Sequence, residues 1–585
     1  VKGEKVIKKP IFKYVEKCWM RVENDVNHFV TKKQNYVKIN YIQKIYIIRR
    51  KTMNVPLVLT HFLDRAVFLF GKKPAIICDD RVFTYEEINS RVNRLSHGLK
   101  ELGIKKGDRV AYLTPNTVEM YEGFYGIFQL GAVMVPLNIR LKPEDYLFIL
   151  NHSESKILFV DQDLYHLIVP VKDKLETVET IIVHYKEKDT PEIDYDAWLA
   201  NQPDVPFERE ELDENDVCSL LYTSGTTGNP KGVMLTHRNN YLHALVSMHH
   251  LRVSDSDVLL HVLPMFHVNG WGSPFYYTAN GATQVFLKKA TAESIFAEVQ
   301  KHKVTIMHMA PTVLNSLMQY YEKHVPQIEQ NVRVVIAGSA PPPAFVTRVE
   351  KELGWEFIQV YGMTELTPLV TISTIRSHLN HLPLKEQYRM KAKAGYPMIG
   401  VDVKVVNDHG EEVAHDGKEI GEIIVRSHGV MLGYWKNEEE TMKTIRNGYL
   451  HTGDMGTIDE YGNIDIVDRK KDIIISGGEN ISSIEVEGVL YEHPEILEAA
   501  VVAVPHEKWG ETPHAFVVLK EGASLSEEEV IAFSRSKLAH FKAVTGVTFV
   551  DELPKTASGK IQKVHLRNDY WKKVTGKEEI TRFVN

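Results

Sequence analysis

The sequence predicts an α/β protein with a large N-terminal layered domain of mostly parallel sheets, an antiparallel barrel-like subdomain, and a small α+β C-terminal domain. Three observations predict it. Short β-branched runs alternate with helical patterns through the first 340 residues, the sign of crossover connections between parallel strands. Beyond about residue 400 the runs are separated by turns rich in Asp and Gly, which is antiparallel spacing. From Asp468 onward a compact mixed pattern fills roughly one further domain.

In chain order, Leu59, Phe62, Leu63, Ala66 and Phe70 recur at helical spacing from Pro56. A strand Ala75 to Cys78 turns at Asp79-Asp80 into Val82-Phe83, and Thr84 caps a helix with Glu87 three residues on. Further strands are predicted at Val110 to Leu113, Val133 to Pro136, Ile157 to Val160, Ile181 to Val183, Thr283 to Phe286, Val304 to Met307 and Val332 to Ala337. The antiparallel region follows at Val401 to Val406, Gly421 to Val425 and Asn463 to Val467. The C-terminal part is expected to contain a helix after Ser482-Ser483, strands Ala499 to Val504 and Ala515 to Leu519, a helix Glu527 to Ala539 and a last strand Val547 to Phe549.

Composition narrows the function classes. A chain of 585 residues exceeds one ordinary core, and 43% hydrophobic with 25% charged residues is globular composition. The net charge of −7 offers no basic field for nucleic acid. Three dispersed cysteines form no disulfide or zinc framework and suit a reducing, cytoplasmic location. No apolar run reaches the roughly 20 residues of a membrane helix, so no stable membrane anchor is expected, only transient surface contact. Residues 1–52 differ: 14 Lys/Arg against 4 Asp/Glu give +10, leaving −17 for the rest. They are read as a basic leader, non-native or disordered, outside the fold.

The strongest local signal is Thr223-Ser224-Gly225-Thr226-Thr227-Gly228-Asn229-Pro230-Lys231-Gly232. Backbone N–H groups freed by glycine, four hydroxyls and an ammonium can all face an anion. The run follows an apolar strand and precedes a helix expected near Thr236, a usual setting for phosphate capture. It is not a Walker A loop, because Lys231 stands between Pro230 and Gly232. A hydroxyl-rich surface turn is the alternative reading. Four more stretches are dense in chemistry: Gly338-Ser339-Ala340-Pro341, Tyr361-Gly362-Met363-Thr364-Glu365, Thr452-Gly453-Asp454, and Lys560 within Pro554 to Lys563. Singly, each has an ordinary explanation as a turn, a cap or a solvent charge.

Taken together and in order, these motifs resemble the adenylate-forming superfamily of acyl- and aryl-CoA synthetases over residues 56 to 570, closest to the medium- and long-chain fatty acid–CoA ligases. The resemblance implies ATP-dependent formation of acyl-AMP and pyrophosphate, then transfer of the acyl group to CoA, with Mg2+ required. It implies that Thr223, Ser224, Gly225, Thr226, Thr227, Gly228 and Lys231 hold the β- and γ-phosphates, and that Ala340, Pro341, Tyr361 and Gly362 form the adenine pocket. Thr364 would touch the α-phosphate, Glu365 would hold Mg2+, Asp454 the ribose hydroxyls, and Arg469 ribose or phosphate. Lys560 would bridge carboxylate and α-phosphate. The implied domains are 53–467 and a mobile 468–585 pivoting at Lys471. After the swing Gly477, Gly478 and Glu479 would replace Lys560 and shape the pantetheine tunnel.

The acid is read from Pro264 to Gly272. His267 would flank the acyl carboxylate, Val268 and Gly338 would line the pocket, and Trp271 would gate an acyl tunnel, with Gly270 and Gly272 leaving room beside the indole. Core packing explains an isolated His-Trp stretch equally well. The stretch is acid-free, favouring an apolar monocarboxylate, and a fatty acid of medium or long chain is expected. The rivals are an aryl or short or branched acid (a methylmercaptopropionate-type ligase included), a carrier-bound pantetheine acceptor, and an inactive binding protein of the same fold. The expected partners are small molecules, with a homodimer allowed.

Overall fold

The structure is a computed structural model that describes residues 55–223, 230–326, 328, 330–338, 341, 343–555 and 561–575. The basic leader lies outside the described residues, as do Ser224, Gly225, Thr226, Thr227, Gly228, Ala340 and Lys560.

Two large sheets enclose a layer of helices. The nine-stranded sheet has, side by side, Val258–His261, Ile306–Met309, Arg333–Ile336 and Glu356–Gly362, all parallel. The eight-stranded sheet has a parallel centre of Val133–Pro136, Arg109–Leu113, Ser155–Asp161 and Thr180–His184. The helix Val118–Gln129 is buried on every side, which fits a position between sheets rather than on a surface. Its two carboxylates are neutralised inside: Glu119 pairs with Arg81 at 2.9 Å and Glu122 with Arg91. Its Gly123 faces Tyr112, whose ring a Cβ would meet at 2.5 Å. The outer faces are covered by helices including Pro143–Ser153 on one sheet and Ala292–His302 on the other, each over its own buried cluster.

An antiparallel sheet follows as expected, with Val401–Val406, Gly421–Ser427, Tyr449–Ile458 and Ile464–Arg469. The C-terminal domain pairs Ile496–His506 with Gly510–Leu519, and Gly546–Phe549 runs parallel to the latter. Helices Ser483–Leu490 and Glu527–Lys537 cover one face of this sheet. The other face is covered by Leu553, Ile561, Leu566 and Tyr570, the last two on a helix Lys563–Thr575 that sequence patterning missed. Among the described residues no helix is long and apolar enough to cross a membrane.

The expected elements are present with small shifts; the strand placed at Val304 to Met307 runs Ile306–Met309. One local expectation is corrected. The glycine-rich loop does not lead into a helix. It joins two antiparallel strands, Val217–Thr223 and Lys231–Thr236, with Thr223 opposite Lys231, and the helix His237–His250 begins only after the second strand. Val233 and Leu235 alternate inward beneath the sheet, a strand between loop and helix that was not expected, while the helix itself begins where it was expected. Thr236 still caps that helix through Asn239.

Gly362 ends its strand against the returning chain, where an added Cβ would lie 1.6 Å from the Pro368 carbonyl oxygen. Gly362→Ala is therefore expected to cost at least the ~1–3 kcal/mol of ordinary overpacking. A urea midpoint equal to that of the parent chain would contradict this packing.

Candidate active site

Because Val258–His261, Ile306–Met309, Arg333–Ile336 and Glu356–Gly362 run parallel, their C-terminal ends share one edge. Ligands of open α/β sheets bind outside such edges. The segments leaving this edge carry most of the candidates: His267 to Trp271, Gly338, Pro341, and Tyr361 to Glu365. At Gly338 (φ 116°) the nearest atom to an added Cβ is 4.0 Å away, so space is open beside the backbone.

A first cluster is built on the antiparallel sheet. Asp454 and Arg469 are direct partners across neighbouring strands, and the Arg469 Nε lies 2.6 Å from Asp454 Oδ1. The Tyr361 hydroxyl donates to Asp454 Oδ2 at 2.7 Å. Tyr361 thus orients the carboxylate as well as offering a ring. Burial and the adjacent Asp454 push its phenol well above the usual range. Burial disfavours the Arg469 cation, but Asp454, Tyr361 and Glu365 outweigh it and hold the guanidinium charged. Two lone pairs per carboxylate oxygen leave Asp454 able to accept from two further hydroxyls.

A second cluster joins the hairpin to Glu365. Glu365 sits in the single helical turn Thr364–Leu366, where Thr364 is also buried. Tyr434 donates its hydroxyl to Glu365 Oε1 at 2.9 Å. The Lys231 ammonium lies 5.3 Å from the centroid of the same Tyr434 ring and pairs with Glu440. Burial raises the Glu365 carboxyl, while Tyr434, Arg469 and Lys231 oppose that rise, which places both clusters within electrostatic reach of one carboxylate. Tyr434 and Glu440 carried no sequence signal, being remote in the chain from both Glu365 and Lys231.

The acyl candidates occupy a strained segment. Val268, Asn269, Gly270, Trp271 and Gly272 all have positive φ, between 45° and 75°. A left-handed run costs non-glycine residues roughly 1–2 kcal/mol each and persists only when its surroundings dictate it. Here Asn269 donates to Ser219 Oγ at 3.0 Å, Ser273 to the Gly270 carbonyl at 2.8 Å, and Asn116 to the carbonyls of His261 and Leu263 at 2.9 and 3.0 Å. The glycines do not leave room. A Cβ on Gly272 would sit 2.8 Å from His243 Nδ1, and one on Gly270 3.3 Å from Ser273 Oγ. Trp271 is buried and stacks on His308 at 5.8 Å between centroids with 22° between planes. His308 is in turn 3.2 Å from the Tyr277 hydroxyl and 3.4 Å from that of Tyr276. Burial, with His261, Arg333 and His243, pushes the His308 imidazole down to about 3, so it is neutral. His308, Tyr276 and Tyr277 were not anticipated; only the strand register brings His308 to the side facing Trp271.

The remaining candidates lie in the C-terminal domain. Lys471 is half-buried on a turn after Arg469, and burial lowers its ammonium. Gly477 and Gly478 (φ 60° and 89°) form the two-residue turn between Ile474–Ser476 and Glu479–Ile481, the form of hairpin that demands positive φ at both central positions. Gly477 donates its N–H to the Trp509 carbonyl at 2.8 Å, and Glu479 is exposed.

Mg2+ suits what is present. Among the described residues no cluster of three or more His, Cys, Asp or Glu could hold a metal. One buried carboxylate, Glu365, is the kind of ligand set that leaves Mg2+ to be completed by substrate phosphates and water.

Comparison with known proteins identifies the family. A family model described as AMP-binding enzyme matches residues 63–435, and one described as AMP-binding enzyme C-terminal domain matches 485–560. The chain is 38% identical to a peroxisomal benzoate–CoA ligase of Arabidopsis thaliana, over 88% of this chain and 93% of that one. It is 39% identical to a peroxisomal butyrate–CoA ligase of the same plant, again over 88% and 93%. Among solved structures it superposes on an anthranilate–CoA ligase in complex with anthranoyl-AMP with a TM-score of 0.82 and 28% identity, covering 90% and 99% of the two chains.

The buried neutral histidines make stability pH-dependent. His243, His261 and His308 are held at about 3, 4 and 3, against roughly 6.5 when unfolded. Below pH 6.5 the unfolded chain therefore binds protons that the folded chain does not, and stability falls as pH falls, by up to about 1.4 kcal/mol per unit per histidine. Denaturant titrations between pH 7 and 5 should show this slope, and His308→Phe should flatten it.

Proposed function

Since the chain belongs to the AMP-binding enzyme family, we propose that it joins a carboxylic acid to CoA in two steps on the edge described above. It is an acid–thiol ligase that uses ATP and CoA. The observation that carries the reading is the meeting of two clusters at Glu365: Tyr361–Asp454–Arg469 on one side and Lys231–Tyr434 on the other.

In the proposed arrangement the ribose hydroxyls donate to Asp454, the adenine lies by Pro341 and Tyr361, and Arg469 and Thr364 reach the α-phosphate. The hairpin from Thr223 to Lys231 holds the terminal phosphates, displacing Glu440 from Lys231. Glu365 would hold Mg2+, which would supply charge neutralisation. A carboxylate oxygen of the acid attacks the α-phosphorus, the bond to the β-phosphate oxygen breaks, and pyrophosphate leaves. The CoA sulfur then attacks the acyl carbonyl carbon, its proton goes to solvent, and AMP leaves with the bonding pair. Attack by one anion on another is slow unless cations and oriented donors are in place first, which is the task of Lys231, Arg469 and Lys560. We place the domain boundary at 467/468 and the pivot at Lys471, with Gly477, Gly478 and Glu479 serving the second step. The cytoplasm is the proposed compartment, although the two plant relatives are named peroxisomal, and transient membrane contact and a homodimer belong to the same reading.

The acid is proposed to be compact, a short, branched or aryl monocarboxylate seated against His267 and Val268. What supports this is the Trp271–His308 stack, a buried aromatic wall backed by the hydroxyls of Tyr276 and Tyr277. The relatives named for benzoate and butyrate are in keeping. A medium- or long-chain fatty acid is the second reading, favoured by the acid-free, largely apolar stretch from His261 to Trp271; it requires Trp271 to leave its stack.

Two measurements test these readings. Lys560→Ala should slow acid-dependent pyrophosphate release about 10²- to 10³-fold, as for loss of one transition-state donor, while thioester formation from supplied acyl-AMP is retained. Release at the parental rate would remove Lys560 from the mechanism, and no release by the parent chain with any acid would remove the ligase. On a panel of C4 to C18 acids with benzoate and cinnamate, C4, branched or aryl acids should lead, and Trp271→Ala should shift preference toward longer chains. Preference of the parent for C12 or longer would favour the second reading.

A further inference from the structure

The loop that carries Lys560 leaves and rejoins the described chain through a defined stem. Lys555 and Ile561 form an antiparallel bridge, the Gln562 N–H donates to the Pro554 carbonyl at 2.8 Å, and Lys555 pairs with Glu498 at 2.6 Å. The next residue, Lys563, opens the helix Lys563–Thr575. A cation in a first helical turn opposes the helix dipole, so the helix itself does not explain it. Its partners do. The Lys563 ammonium lies 2.7 Å from Glu487 and donates to Ser483 Oγ at 2.6 Å. Ser483 donates its hydroxyl and its N–H to the same oxygen of the buried Asp468, both at 2.6 Å. Glu487 also accepts the Val501 N–H at 2.7 Å. Asp468 immediately precedes Arg469, the partner of Asp454. One helical turn on, Arg567 donates to the Lys471 carbonyl at 3.0 Å and to Asp472 at 2.9 Å.

The geometry points to Lys563 as the positioning residue of the adenylation step. Resting on the ligase reading above, it ties the stem of the Lys560 loop through Ser483 and Asp468 to the strand that carries Arg469. The stem and Asp454 thereby share one line of contacts, and Lys563 itself touches no substrate. Cutting this line would loosen the stem, and misplacement of a reacting group by about 1 Å can cost 10²-fold in rate. The thioester step makes no use of Lys560 and should be spared.

The test is Lys563→Met in the full chain, with the two half-reactions measured separately. Expected are a fall of ~10- to 100-fold in kcat for acid-dependent pyrophosphate release, a KM for ATP close to the parent's, and parental thioester formation from supplied acyl-AMP. Lys563→Arg should recover most of the rate. Ser483→Ala, which removes only the bridging hydroxyl, should act in the same direction and serves if Lys563→Met does not fold. Hydrogen exchange at residues 552–563 should quicken in both Lys563→Met and Ser483→Ala. Equal losses in both half-reactions, or an unchanged adenylation rate, would overturn the assignment. Were the parent to activate no acid, the ligase reading would fail, and unchanged exchange in the variants would still count against the anchor.

Discussion

The site depends on one ion pair closed across two strands. Asp454 and Arg469 face each other in the register of the antiparallel sheet, so these charges are fixed by backbone pairing rather than by long flexible side chains. A carboxylate held from one side by a guanidinium and from the other by Tyr361 keeps its remaining lone pairs aimed one way. Removing either partner would leave a buried charge uncompensated, which is the costly way to break such a pair.

Glu365 poses the complementary problem. Its burial works against ionisation, and the answer is distributed: Tyr434 supplies a hydrogen bond, while Arg469 and Lys231 supply charge. Tyr434 serves two ends at once, its hydroxyl on Glu365 and its ring under Lys231. Lys231 is meanwhile paired with Glu440, so its charge is already compensated within the protein.

On the acyl side the same economy appears as strain. The left-handed run from Val268 to Gly272 is held by Ser219 and Ser273, and it presents Trp271 flat against His308. A neutral imidazole between an indole and two phenols is a polar, aromatic wall. It couples this segment to the pH sensitivity of the buried histidines around it.

The residues of the site were legible wherever chemistry is local. The hydroxyl-and-glycine run, the Tyr361 to Glu365 segment, Asp454 and the capped helices are short-range patterns, and period-two and helical spacing located nearly every element. The strand Lys231–Thr236 between the loop and the correctly placed helix was missed because six residues of alternation are too short a pattern to stand out beside a glycine-rich loop. Glycines 270 and 272 were read as space when they are close packing, since a missing Cβ looks the same in a sequence whichever it provides. What the chain by itself determined was the fold class and the identity of the chemical groups. Only the tertiary structure decided their partners: Tyr434 lies 69 residues from Glu365, and Lys563 lies 80 from Ser483. Those meetings depend on how sheets and helices stack over the whole domain, and side-chain pairing at such range leaves no periodic trace along the chain.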